Sequence, residues 1–120
     1  MNCAIEGLLL NKQLWFSFVD DKGVLVYVYT VDGEYVADQI DVGWAAAGHG
    51  YVDPYTPKNE IWIEQSYTER RRHGILRHEV SERMAMRDGK PYKEAHHGAN
   101  EAEAIWRRAT YNVLSPHIGD

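Results

Sequence analysis

Apolar and polar residues alternate along the first third of the chain. Residues 4–10, 14–19, 24–31 and 34–42 are rich in Val, Ile, Leu, Tyr and Phe, the composition of half-buried strands. Asp21-Lys22-Gly23 and Asp32-Gly33 separate these runs. Asp-Gly between two β-rich runs marks a hairpin, because glycine tolerates the positive φ of such turns. The pattern predicts a meander of three or four antiparallel strands. Residues 43–58 interrupt it: Gly43, Gly48, Gly50, Pro54 and Pro57 make a loop, with one short helical turn at 44–47. Glu60-Ile61-Trp62-Ile63-Glu64 then alternates again, as a short strand with one buried face does.

The period changes after residue 66. Leu76, Val80 and Met84 recur every four residues, and between 67 and 87 there is no proline and only Gly74, so a helix is expected there. Asp88-Gly89 is its stop, glycine suiting the left-handed cap. Pro91 sits where a first-turn proline belongs, and a second helix is expected over 91–110. The tail 111–120 should pack loosely. The expected fold is α+β in one domain: a small antiparallel sheet of four or five strands within residues 1–66, and a helical hairpin over 67–110 packed on one face.

Composition narrows the function classes. A chain of 120 residues buries enough surface to fold without a disulfide or a metal. Cys3 is the only cysteine, which excludes an internal disulfide and a cysteine zinc site. Leu8 to Leu10 is too short for a signal core, and no apolar run approaches the ~20 residues of a membrane span. A cytoplasmic protein with no membrane association is expected. The net charge of −5 argues against nucleic acid as a partner. The run Arg70-Arg71-Arg72-His73 is the local exception. These cations oppose the dipole of the first helix, so they are candidates for an external anion, although a solvated face accounts for them more simply.

The chemistry concentrates on the two helices. At about 100° per residue, His78 and Glu82 of His78-Glu79-Val80-Ser81-Glu82 point the same way, one turn apart. Ile75 and Met86 share that arc, so it is a packed face. The second helix carries an apolar stripe of Tyr92, Ala95, Ala99, Ala102 and Trp106. His96 and Glu103 fall inside the stripe, and His97 falls outside it. The short turn at 87–90 makes the helices antiparallel neighbours and sets His78 and His96 at similar heights. The alanines allow a close approach. Two imidazoles and a carboxylate are the ligand set of many catalytic zinc sites. A metal at His78, Glu82 and His96 would acidify a bound water, with Glu79 as general base and Glu103 as a second-shell partner of His96 or a fourth ligand. A metal-free His/Glu network is the alternative, since buried charges must be paired or metal-bound.

His78-Glu79-x-x-Glu82 resembles the H-E-x-x-H helix of the zincin metallopeptidases, with glutamate in place of the second histidine. The strand Glu60 to Glu64 is similar to the edge strand beside the active helix in that group, and His96 fits a third ligand from a following helix. The pattern of Ile75-Leu76, His78-Glu79, Glu82, Met86, Gly89, Tyr92, Ala95-His96 and Ala99 also looks like small bacterial and phage-encoded proteins of unassigned role. The resemblance covers residues 60–103. It implies zinc, with His78 and Glu82 as ligands, Glu79 as base, and a peptide or protein as substrate. Glutamate at 82 adds negative charge and weakens the metal as a Lewis acid, and no Met-turn is evident. Mn, Fe, Co or Ni would also suit these ligands.

Two further residues rank behind these. His49, between Gly48 and Gly50, reads most simply as an exposed loop histidine, though flexible neighbours can present such a residue to a site. Tyr92 stands one turn before His96. The expected function is a metallohydrolase of minimal zincin type. The alternative is a non-enzymatic interaction module in which the same cluster is a structural network or a structural metal site.

Overall fold

The computed structural model describes residues 12–114 of the chain. The strand expected at 4–10, together with Cys3 and His117, lies outside the described residues. The elements are β1 (Gln13–Val19), β2 (Leu25–Val31), α1 (Gly33–Gln39), β3 (Ala47–His49), β4 (Glu60–Glu64), α2 (Glu69–Arg87) and α3 (Tyr92–Leu114). The class is α+β. The four strands lie in the order β1-β2-β4-β3.

Three differences from expectation matter. The sheet is mixed rather than wholly antiparallel: β1–β2 and β3–β4 are antiparallel, but β2 and β4 pair in parallel, Val28 opposite Ile61. Residues expected as a strand at 34–42 instead begin with helix α1. Asp32 is its N-cap and not a hairpin residue; its carboxylate accepts from the amides of Glu34 and Tyr35. Glu64 accepts from the Gly33 amide and ties α1 to the end of β4. No helical turn forms at 44–47; Ala47 opens β3, and Ala46 takes a left-handed φ of 75°.

Because α1 interrupts the meander, both faces of the sheet are covered. Val31 and Trp62 pack with Val36 of α1 and with Trp44 on one face. Val26, Val28, Ile61 and Ile63 pack with Leu76 of α2 on the other. Ile61, Trp62 and Ile63 are therefore all buried, where alternation predicts one buried face. Each of these side chains stabilises the fold by roughly 1.5–3 kcal/mol. α2 packs on β3 and β4, and α3 packs chiefly on α2, as an outer layer. Gly74 lets the helices close: a Cβ there would stand 3.2 Å from Arg107 Nε and 3.4 Å from the Trp106 ring. Gly89, with φ 98°, ends α2 as expected, and α3 runs on to Leu114. Among the described residues no helix is long and apolar enough to cross a membrane.

Candidate metal centre

α2 carries Glu79 and Glu82 against the sheet and turns His78 toward α3. Glu82 is 3% exposed and is the hub. Its Oε1 lies 2.9 Å from His49 Nε2. Its Oε2 lies 3.3 Å from His78 Nε2 and 2.9 Å from His96 Nδ1. Both nitrogens of His78 face carboxylates, since its Nδ1 is 3.2 Å from Glu103 Oε1. Glu103 also pairs with Arg107 one turn later. The His78 and His96 rings meet edge to face at 4.9 Å, and Tyr92 stacks on His96 with its hydroxyl 3.4 Å from Nδ1.

His78, Glu82 and His96, from two helices, thus meet as the helix faces anticipate. Glu103 joins them, but beside His78 and not beside His96. Glu79 is 6% exposed and, among the described residues, accepts no hydrogen bond; the nearest cationic nitrogen is His78 Nε2 at 3.9 Å. These residues border an open cavity of about 400 Å³, whose walls also include Asp53, Tyr92 and Arg71.

No protein-family model, curated protein or solved structure matches this chain.

His49 is not an exposed loop residue. It is fully buried at the end of β3. Ala47 and His49 alternate onto the α2 face of the sheet, which carries the imidazole to Glu82. Its glycine neighbours serve close packing rather than flexibility. A Cβ on Gly48 would fall 1.8 Å from Asp53 Oδ2, and one on Gly50 would fall 2.1 Å from the Pro57 carbonyl oxygen. Asp53 follows in the same loop, where the sequence suggests no more than a residue able to line a cleft, and it does line this one. Nothing in its loop distinguishes it by period, and only the folded structure brings it to Glu79 and Glu82.

The electrostatics follow from crowding in a dry place. Burial opposes ionisation of Glu82, but the hydrogen bonds from His49, His78 and His96 outweigh it and hold the carboxyl well below its usual range. The hydrogen bond to Glu82 raises His78 against the effect of burial. Burial pushes Glu79 well up, and the charges of Glu82, Asp53 and Glu103 add to this. Burial likewise pushes Asp53 up to about 6.

The arginines divide. Arg70 and Arg71 line a second cleft, of about 570 Å³, with Trp106, Arg107 and Arg108. Arg72 lies over the Trp15 ring instead, 4.9 Å from its centre.

Proposed function

We propose that the chain is a metal-dependent hydrolase of minimal zincin type, holding zinc through His78, Glu82 and His96 and acting on a peptide bond. One observation carries the reading. His78, Glu82 and His96 each offer one ligand atom, and these three atoms all lie within 4.8 Å of one another, on the wall of an open cavity. Tetrahedral zinc with bonds of about 2.0–2.1 Å spaces neighbouring ligand atoms roughly 3.3 Å apart. The two separations from Glu82 Oε2, 3.3 and 2.9 Å, suit that geometry.

The donor chemistry supports the fit. His78 faces carboxylate oxygens through both nitrogens, so in the metal-free protein it is satisfied only as an imidazolium. With a cation at Nε2, the neutral ring donates Nδ1–H to Glu103, the outer hydrogen bond that metal-bound imidazoles commonly make. Zinc, when bound, supplies Lewis acidity that lowers the pKa of a bound water toward ~7. Burial and the neighbouring carboxylates favour the neutral form of Glu79 in the metal-free protein; a cation held by His78, Glu82 and His96 would favour its carboxylate, which would then accept the proton of the bound water and return it to the leaving group. Tyr92 holds the His96 ring by stacking.

Glu79→Gln separates binding from chemistry. The variant should keep one firmly held zinc and lose hydrolysis of a fluorogenic peptide library by 100-fold or more, on the order expected for a general base. Undiminished turnover in Glu79→Gln would remove Glu79 from the reaction.

A second reading has its own observation. Both oxygens of Glu82 and both nitrogens of His78 already have partners within the protein, as in a closed structural network. On that reading the chain is an interaction module, takes up no zinc, and hydrolyses nothing.

A further inference from the structure

The tautomer of His49 is legible from its surroundings. Its Nδ1 accepts the backbone N–H of Tyr51 at 3.2 Å, and a backbone amide can only donate. Nδ1 therefore carries a lone pair, and the ring proton of the neutral imidazole sits on Nε2. That Nε2 faces Glu82 Oε1 at 2.9 Å and donates to it. His49, Glu79 and Glu82 also bring donor atoms within 4.8 Å of one another, as a second metal site would. The Tyr51 amide argues against this, because metal binding through Nε2 would require the proton to move to Nδ1, where it would oppose another N–H.

From this arrangement we infer that His49 is a positioning residue for Glu82: it engages Oε1, keeps the carboxylate to one-oxygen ligation, and aims Oε2 at the metal held by His78 and His96. The inference rests on the metal-binding reading above and deepens it. Three features make His49 a rigid hold. It is completely buried, its other nitrogen is fixed by the Tyr51 amide, and Gly48 and Gly50 allow the backbone on either side to pack against Asp53 and Pro57 without a Cβ. Glu82 meets β3 through Oε1 and the two helix histidines, His78 and His96, through Oε2, so a loose carboxylate would rotate between the two sets of partners. An outer-shell hydrogen bond of this kind typically accounts for 10–100-fold in metal affinity.

The test is imidazole ¹⁵N NMR of the full chain before and after one equivalent of zinc, alongside zinc titration of His49→Gln and His49→Leu. The inference expects His49 to keep its proton on Nε2 in both states while the ring nitrogens of His78 and His96 shift. His49→Gln, whose amide can still donate, should bind zinc within a few-fold of the parent protein. His49→Leu should bind roughly 10–100-fold more weakly. Loss of the Nε2 proton on zinc addition would make His49 a ligand and overturn the inference; the spectra of the parent protein decide this even if His49→Leu does not fold. Undiminished affinity in a folded His49→Leu would overturn it as well, leaving the zinc site itself intact. Failure of the parent protein to take up zinc would overturn this inference and the proposed function together.

Discussion

At the scale of single residues, Asp53 is a half-buried carboxyl whose cost to stability depends on pH. Among the described residues its buried Oδ2 has no hydrogen-bond partner, and Gly48 is what makes room for it. Burial pushes its carboxyl from 3.8 up to about 6. The folded chain therefore binds this proton more tightly than the unfolded chain does. The favourable contribution is full below 3.8 and is lost as pH rises through about 6. Solvent screening of this half-buried carboxyl holds the loss to roughly 1 kcal/mol. Asp53→Asn, in metal-free protein, should match the parent near pH 4 and exceed it in urea stability by up to that amount at pH 8. Parallel stability profiles for the two proteins would show that Asp53 titrates normally.

At the scale of elements, the three-residue strand β3 has the largest effect on the site for its length. It is held by Ala47 opposite Ile63 and His49 opposite Ile61, and it delivers a hydrogen bond to Glu82 from outside the helices. Its position depends on Gly50, where a side chain would collide with backbone at Pro57 and Lys58. Gly50→Ala should cost roughly 1–3 kcal/mol by overpacking. It should also displace His49 and weaken zinc binding; unchanged thermal stability would contradict the close packing. The long helices were legible because 19 and 23 residues give periodicity room to declare itself. β3 was not, since three residues carry no period. α1 was misread for a specific reason: Asp32-Gly33 is as good an N-cap as it is a hairpin turn, and Val36 and Ile40 satisfy a helix spacing that β-rich composition obscured.

At the scale of the whole molecule, the candidate centre lies where three layers meet: β3 of the sheet, α2 upon it, and α3 outermost. The helix faces alone selected His78, Glu82 and His96, because a turn of a few residues fixes antiparallel helices in register. Glu103 was also selected, with the wrong histidine as its partner. His49 of the sheet and Asp53 of the loop that follows it were invisible from the helices, because β3 is held in a sheet whose parallel β2–β4 pairing no local pattern encodes. Arg83 escaped notice in the same way. Charged and only 3% exposed, it joins α2 to the β1–β2 turn through Asp20 and to the loop before β4 through the Lys58 carbonyl. The C-terminal half of α2 is thereby tied to two loops at the edge of the sheet, one turn beyond Glu79 and next to Glu82.

The most direct measurement is the zinc content of the purified, untagged chain by plasma mass spectrometry, beside His96→Ala. About one zinc per chain, lost in the variant, is the result expected from three donors converging on one point. A chain that holds no zinc even after incubation with it, or a His96→Ala variant that retains a full equivalent, would contradict the metal centre and leave Glu82 and its histidines as a structural network.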